Sequence, residues 1–213
     1  MPPFATNTTL CFAGDSLARQ FAIHTACTWG HSHKYHVDNH VYLHESHLDK
    51  DATIRYEDIL CHLPATDDEI RQRLGMCTYL VLSKGAWHIN NPTFTRSSSE
   101  FGSFLKDTVD QLRRVLPSTR ILLKEMWAWG GAQCRTEDAN NQKVVQFNEQ
   151  IRETSEMFRK VRILEGLYNL SLFYNCEEDH PEYDTVHWCH KNSHVLDGSV
   201  CLLGNQLRTW RKK

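Results

Sequence analysis

Residues 10–20 read Leu-Cys-Phe-Ala-Gly-Asp-Ser-Leu-Ala-Arg-Gln, and the rest of the chain is interpreted outward from this stretch. An apolar run over 10–13 is followed by a glycine, and helix formers begin at Leu17, so the pattern predicts a strand that turns sharply into a helix. Ser16 lies at this turn, where its hydroxyl and the N–H groups of the helix N-terminus would face the same space. Two interpretations are open: Ser16 is a nucleophile, or Asp15 or Ser16 only caps the helix.

Length and composition limit what the chain can be. Its 213 residues are 40% hydrophobic, which is enough for one well-buried core, and we expect a single domain over residues 1–213. The formal charge is −2, so no basic field favours nucleic acid as a partner. No apolar run approaches the roughly 18 residues of a membrane span, so we expect no stable membrane insertion. We further expect a monomer with no cofactor and no resident metal.

Cysteine usage indicates an oxidising compartment. The chain has eight cysteines, none in a Cys-x-x-Cys pair, and disulfides explain them more simply than a metal does. Asn7 and Asn169 lie in glycosylation sequons, which agrees with a secretory protein. We therefore expect the Golgi lumen or the extracellular space, with a signal or anchor not visible in this sequence; the alternative is the cytoplasm.

Periodicity and turn signals predict strands that alternate with helices. The predicted strands cover 8–14, 52–56, 78–82, 120–126 and 161–164, and the predicted helices cover 16–27, 66–74, 101–116, 141–160 and 193–210. This order is typical of a parallel sheet with helices on both faces, whose sites lie at the carboxyl ends of the strands. Ser16, Gly85, the loop 127–134 and the residues after Leu164 would then meet at one edge.

A histidine-rich stretch between Trp29 and Leu48 is predicted to be irregular. His36, His40 and His44 are four residues apart and would line one face of a helix, where they could bind zinc or copper. The surrounding residues are poor helix formers, so a solvated loop is the preferred interpretation.

A second informative stretch is Tyr-Asp-Thr-Val-His-Trp-Cys at 183–189. A serine hydroxyl needs a base to take its proton, and a histidine serves best when a carboxylate orients its ring. Asp184 and His187 are three residues apart, so one tight turn places them side by side. Ser16, Asp184 and His187 therefore form a candidate triad.

Four motifs, in order along the chain, resemble the SGNH (GDSL) hydrolases. Within that superfamily the chain is similar to the PC-esterase group, which includes the plant trichome birefringence-like polysaccharide O-acetyltransferases. The motifs are Phe-Ala-Gly-Asp-Ser-Leu-Ala-Arg-Gln at 12–20, Lys-Gly-Ala-Trp at 84–87, Trp-Gly-Gly-Ala-Gln-Cys at 129–134 and Asp-Thr-Val-His-Trp-Cys at 184–189.

The resemblance implies a three-layer α/β/α sandwich around a short parallel sheet. It also implies that Ser16 is the nucleophile, His187 the base and Asp184 the residue that orients it, with the Ser16 N–H as one oxyanion donor. Where general SGNH enzymes have Gly-x-Asn-Asp, this chain has Gly-Ala-Trp-His at 85–88. Gly85 can therefore offer only a backbone donor, and no second-block glycine is evident.

Further residues at the expected edge are candidates for binding substrate. Asp15 belongs to the serine motif, and Arg19 occupies the arginine that often follows it in the PC-esterase group; Arg19 binds substrate or pairs with an acid. Trp87 and other tryptophans of the edge could stack on sugar rings or pack beneath loops. The other tryptophans are Trp29, Trp127, Trp129 and Trp188.

The resemblance also brings Cys134 and Cys189 to the same edge, and we expect a disulfide between them. The expected activity is that of a serine-dependent hydrolase or O-acyltransferase acting on O-acetyl groups of carbohydrate or another O-acylated small molecule. The alternatives are a catalytically weak carbohydrate-binding relative and a lipid esterase.

Overall fold

The computed structural model describes residues 8–29, 32–38, 41–48, 52–61, 63–128, 139–174 and 194–211. The strands are β1 (Thr8–Gly14), β2 (Ser32–Asp38), β3 (Val41–Leu48), β4 (Ala52–Glu57), β5 (Tyr79–Ser83), β6 (Arg120–Lys124) and β7 (Val161–Leu164). The helices are α1 (Ser16–Thr28), α2 (Asp67–Leu74), α3 (Ala86–Asn90), α4 (Ser98–Val115), α5 (Ala139–Met157), α6 (Leu167–Tyr174) and α7 (His194–Arg211). Every strand and helix predicted above is present, with ends shifted by at most a few residues.

The strands form one sheet in the order β2-β3-β4-β1-β5-β6-β7. The five strands from β4 to β7 in this order are parallel, as predicted. β3 is antiparallel to β4, and β2 is antiparallel to β3. Because β1 lies inside the parallel part, its carboxyl end is flanked by those of β4 and β5.

Alternation along β1 divides the core into two layers. Leu10 and Phe12 pack with residues of α1 and α7 on one face of the sheet. Cys11 and Ala13 pack with residues of α2, α4 and α5 on the other. The sheet is therefore the middle of three layers, and the prediction of a three-layer α/β/α sandwich around a parallel sheet is confirmed.

The prediction of an irregular stretch between Trp29 and Leu48 is wrong. Residues 32–38 and 41–48 are β2 and β3, paired antiparallel from Ser32 with His47 to Asp38 with Val41. β2 pairs with β3, and β3 pairs with β4, so backbone pairing forms strands in a stretch whose many histidines give no clear β pattern. The helical spacing behind the proposed metal site is absent, since 36 and 44 lie in strands; His40 lies outside the described residues.

Two helices escaped the sequence-based prediction. α3 directly follows Gly85 and has five residues, too few for a helical period to be evident. α6 is a run of mostly apolar residues, Leu-Tyr-Asn-Leu-Ser-Leu-Phe-Tyr, and such a run does not distinguish a buried helix from a strand. The capping box of Thr66 and Glu69 is present at the start of α2, as predicted.

A disulfide joins Cys11 of β1 to Cys77, which precedes β5, across 66 residues of sequence. Both cysteines are buried. The predicted pair, Cys134 and Cys189, lies outside the described residues. Among the helices described, none combines the length and apolar character needed to cross a membrane.

Removing this disulfide should destabilise the fold without touching the site edge. Closing a loop of this length restricts the unfolded chain, and loss of such a bond costs about 2–5 kcal/mol. We expect Cys11→Ser with Cys77→Ser to lower the free energy of unfolding by that amount in urea titrations. Cys201→Ser, which removes an exposed thiol of α7, is the control and should change the unfolding free energy by less than about 0.5 kcal/mol. Equal stabilities of the double variant and the wild type would contradict the expectation.

Candidate active site

Ser16 is the first residue of α1, at the carboxyl end of β1, and is half-buried. The residue before it caps the helix: the Asp15 carboxylate accepts a hydrogen bond from the Leu17 N–H at 3.0 Å. The Asp15 carbonyl also accepts from the Arg19 N–H at 3.2 Å. Because Asp15 is the N-cap, the start of α1 does not require the Ser16 hydroxyl as a cap. The side chain that caps α1 is therefore Asp15.

The backbone of the turn is held from β4 and the loop after it. The Gly14 carbonyl accepts hydrogen bonds from the Tyr56 hydroxyl at 3.2 Å and from the Cys61 thiol at 2.9 Å. Burial is the main cause that raises the pKa of both Tyr56 and Cys61 above their ordinary values. Both groups therefore remain protonated donors at neutral pH, and they fix the carbonyl just before the serine motif.

Glycine is required at the end of β1 for two reasons. Gly14 has a φ of +132°, a backbone conformation that residues other than glycine rarely adopt. A Cβ at this position would also collide with the Ser83 carbonyl, because Gly14 pairs with Ser83 across the sheet. The close approach brings the ends of β1 and β5 together beneath Ser16.

Gly85 follows the end of β5 and is the N-cap of α3, with a φ of +124°. A Cβ there would strike the side chain of Met126, which follows β6. The structure thus brings Gly85 to the same sheet edge as Ser16. Gly85 lies two residues after Ser83, the residue that pairs with Gly14. Its role as an oxyanion donor stays a prediction.

The tryptophans of the edge differ in their environment. Trp127 is buried, packs edge to face on Phe21 of α1 with ring centroids 5.9 Å apart, and donates to Ser199 of α7. Trp29 is partly buried against the same core. Trp87 is 39% exposed and packs edge to face on Phe94. Of the described tryptophans, Trp87 is thus the most exposed.

Other predicted residues remain without a structural account. Arg19 lies one helical turn after Ser16 and is half-buried, and the structure does not distinguish its two predicted roles. Asp184 and His187 lie outside the described residues, as do Trp129 and Trp188. The triad therefore stays a prediction for which the structure supplies only the position of the serine.

Two buried lysines at the same edge were not singled out from the sequence. Lys84 is 3% and Lys124 2% exposed, and each ends an apolar strand. Burial lowers the pKa of both lysines to about 7, since water no longer stabilises the ammonium form. A lysine that follows three or four buried strand residues is the signal that could have identified them.

A polar cleft of about 540 Å³ opens between the N-termini of α4 and α5. These N-termini lie at the carboxyl edge of the sheet, because both helices return antiparallel to the strands. The Lys143 ammonium of α5 donates to the Ile89 carbonyl of α3 at 2.8 Å. This hydrogen bond connects a residue that lines the cleft to the short helix that Gly85 caps. The cleft is lined by Thr95, Arg96, Ser97, Ser98, Glu100, Ala139, Gln142, Lys143 and Gln146.

Comparison with solved structures identifies the fold. LAE5, an α/β hydrolase from the metagenome of Lake Arreo, aligns with 98% of this chain and 99% of its own, at a TM-score of 0.60 and 12% identity. A GDSL-like lipase from Bacteroides thetaiotaomicron aligns with 96% of this chain and 89% of its own, at 0.61 and 11%. The chain has the fold of the GDSL-like hydrolases.

An acetyl-xylooligosaccharide esterase from Geobacillus stearothermophilus, Axe2, has the same fold. A variant of it aligns with 95% of both chains, at a TM-score of 0.60 and 11% sequence identity. No protein family model matches the sequence, and no curated protein matches it. The similarity therefore establishes the architecture, and the chemistry has to be argued from the residues.

The buried lysines predict a characteristic pH dependence of stability. Between pH 7 and pH 9 the unfolded chain holds protons on Lys84 and Lys124 that the folded chain has released, since their ordinary pKa is 10.5. The free energy of unfolding should therefore rise with pH in this window, by at most about 1.4 kcal/mol per pH unit for each lysine. Urea titrations at several pH values measure this slope.

Lys124→Met should reduce the slope and increase stability most at pH 7 and below, where the penalty of burying the charge is largest. Arg120→Met is the matched control at the other end of β6, because a guanidinium does not titrate in this window. A slope that is flat in the wild type, or unchanged in Lys124→Met, would contradict the expectation.

Proposed function

We propose that this chain is a serine-dependent ester hydrolase or O-acyltransferase of the PC-esterase type, acting on O-acetyl groups of carbohydrate. The observation that carries the proposal is the Ser16 turn: a serine at the first position of a helix, at the carboxyl edge of a parallel sheet, with the cap supplied by Asp15. A serine in this position can attack an acyl group while the helix N-terminus favours the negative charge that forms.

The reaction follows from the roles of three residues. The Ser16 Oγ attacks the acyl carbonyl carbon, and His187 takes its proton. The tetrahedral intermediate collapses, the ester C–O bond breaks, and His187 returns the proton to the departing sugar oxygen. Asp184 holds the imidazole in the required orientation. Water or a second sugar hydroxyl then attacks the acyl-enzyme by the same steps in reverse and releases Ser16.

Backbone groups are the candidate oxyanion donors. The Ser16 N–H lies at the start of α1, and Gly85 is held at the same edge through the pairing of Gly14 with Ser83. A missing donor typically costs about a hundred- to a thousandfold in rate. Since Trp87 replaces the asparagine of general SGNH enzymes, we expect a slower enzyme than those that carry the full set.

A carbohydrate substrate is supported by the surface next to Gly85. The cleft between α4 and α5 is lined by hydroxyl and amide groups together with the charged side chains of Arg96, Glu100 and Lys143, and such polar groups can hydrogen-bond a ligand with many hydroxyls. Trp87 lies on α3, two residues after Gly85, and is 39% exposed, and aromatic faces stack on sugar rings. The Axe2 structure is that of an acetyl-xylooligosaccharide esterase, so an acetylated oligosaccharide is a reasonable first substrate.

A second candidate is a carbohydrate-binding protein of the same fold with little catalysis. The observation that favours it is Trp87 itself, an exposed aromatic ring at the position where an amide donor would otherwise lie. For either function we propose the secretory pathway, Golgi lumen or extracellular, and the Cys11–Cys77 disulfide supports an oxidising compartment.

Ser16→Ala should abolish hydrolysis of p-nitrophenyl acetate, because the attacking oxygen is removed. We expect a loss of at least about a thousandfold in kcat, to the level that binding alone supports. Ser155→Ala, which removes a buried hydroxyl of α5 that bonds only to the local Arg152 carbonyl, is the matched control and should retain wild-type kcat. Equal rates for Ser16→Ala and wild type would refute the proposed esterase activity and would favour the second candidate, a carbohydrate-binding protein.

Acyl-chain selectivity separates a carbohydrate esterase from a lipid esterase. We expect kcat/KM to fall steadily from p-nitrophenyl acetate to the butyrate and octanoate. We also expect acetylated xylo-oligosaccharide to release acetate in a Ser16-dependent manner, with Trp87→Ala raising KM for the oligosaccharide more than for p-nitrophenyl acetate. A preference for octanoate would contradict the assignment to O-acetyl groups.

A further inference from the structure

Two side chains from outside the serine motif converge on one backbone carbonyl inside it. The Gly14 carbonyl accepts hydrogen bonds from the Tyr56 hydroxyl at 3.2 Å and from the Cys61 thiol at 2.9 Å. The Tyr56 hydroxyl also lies 3.4 Å from the Asp15 carbonyl. Because Gly14 and Asp15 are the two residues before Ser16, these donors hold the backbone that leads into the nucleophile.

The segment that carries both donors passes from one core layer to the other beside the serine turn. Tyr56, the residue of β4 that pairs with Phe12, packs in the layer formed with α1 and α7. Leu60, which directly precedes Cys61, packs in the layer formed with α2, α4 and α5. The chain over 56–61 therefore encloses the carboxyl end of β1 on the side of β4.

The backbone just before Cys61 is strained. Leu60 has a φ of +63°, in the left-handed region that residues other than glycine, asparagine and aspartate rarely adopt. Conformations of this kind persist only where the surrounding structure holds them, and they concentrate at functional sites. Directly after this strained residue, the Cys61 thiol contacts Gly14.

A network of ion pairs and hydrogen bonds holds the same segment against α2. The buried Glu57 carboxylate lies between the Arg55 Nε at 2.7 Å and the Arg73 Nε at 2.8 Å. The Arg73 guanidinium also donates from Nη1 to the Asp58 carbonyl at 3.0 Å. The Asp58 carboxylate lies 2.8 Å from the Cys61 thiol. The chain between Tyr56 and the thiol is therefore fixed by side chains at successive residues.

Stability alone gives a weak reason for the two donors. A phenylalanine in place of Tyr56 would fill the same space without burying a hydroxyl, and one such hydrogen bond adds only modest net stability. The thiol has a single proton, for which the Asp58 carboxylate competes, so Cys61 is the weaker donor. What the pair supplies is direction, because two donors on one carbonyl fix the plane of the peptide bond between Gly14 and Asp15.

We propose that Tyr56 and Cys61 are positioning residues of the Ser16 site, whose hydroxyl and thiol together hold the Gly14 carbonyl and so orient the serine turn for attack. This inference rests on the proposed function. In this role neither residue touches the substrate, since both act through the backbone of Gly14. Their effect on rate is large because misplacing a reacting group by about 1 Å can cost about a hundredfold.

The test is a double-mutant cycle in the purified full-length chain at neutral pH, with kcat for p-nitrophenyl acetate expressed per folded molecule. Tyr56→Phe and Cys61→Ala each leave the Gly14 carbonyl with one donor, so we expect each to lower kcat by less than about fivefold. The variant with both substitutions has neither donor and should lose at least about a hundredfold, with KM changed by less than about twofold. A combined effect no larger than the product of the single effects would overturn the inference.

Replacing the thiol by another donor separates positioning from packing. In the Tyr56→Phe background, Cys61→Ser restores a donor and should keep kcat within about threefold of Tyr56→Phe alone, whereas Cys61→Ala should not. Loss of packing would lower kcat in both versions alike, because neither side chain fills the volume of the sulfur; equal values therefore count against the positioning role. If Cys61→Ala does not fold, Cys61→Val, which fills the space without donating, takes its place.

Tyr79→Phe is the matched control for Tyr56→Phe. The Tyr79 hydroxyl lies at the amino end of β5, away from Ser16, and accepts a hydrogen bond from Arg120 at 2.7 Å. We expect wild-type kcat for Tyr79→Phe and for Cys201→Ala, which removes an exposed thiol of α7. If these two controls together lowered kcat as much as the double variant, the effect would not be specific to Gly14 and the inference would be wrong.

The two levels of the proposal fail in different ways. Inactive Ser16→Ala with a fully active double variant of Tyr56 and Cys61 refutes the positioning role and leaves the enzyme. A wild type that hydrolyses ester no faster than Ser16→Ala refutes the proposed function, and the positioning role with it.

Discussion

The contact on which the site depends is the close approach of Gly14 to Ser83. Two parallel strands meet there with no side chain between them, since a Cβ on Gly14 would occupy the position of the Ser83 carbonyl. The positive φ at Gly14 then turns the chain out of the sheet so that α1 begins two residues later. Tyr56 and Cys61 donate to the carbonyl of Gly14 from the side of β4. The turn is thus enclosed by β4 and β5.

The sheet separates stability from chemistry by its two edges. Away from the carboxyl edge, the Cys11–Cys77 disulfide ties the middle of β1 to the residues just before β5, and it restricts the unfolded chain. At the carboxyl edge the structure buries the acids Asp15, Glu57 and Glu125 and the lysines Lys84 and Lys124, at a cost in free energy. Such an arrangement is tolerable because the apolar layers on both faces of the sheet supply the stability that the charged edge gives up.

Local signals predicted most of the fold. The apolar run ending at Gly14, the capping box of Thr66 and Glu69, and the helical period through α4 each report on residues close in sequence, and each predicted its element correctly. β2 and β3 were missed although β2 pairs with β3 and β3 with β4 across short connections, because a histidine-rich composition gives no clear alternation of apolar and polar residues. α3 and α6 were missed because short or uniformly apolar segments carry no clear period.

The sequence by itself determined the order of most elements and the serine at the strand-to-helix turn; the pairing of Asp184 with His187 stays a prediction from sequence. These follow from residue type and spacing, which local geometry converts directly into strands, turns and caps. Only the tertiary structure decided that Lys84 and Lys124 are buried at the carboxyl edge of the sheet. Burial depends on which strands lie side by side and which helices cover them, and strand order is a property of the folded sheet that no short stretch of sequence contains.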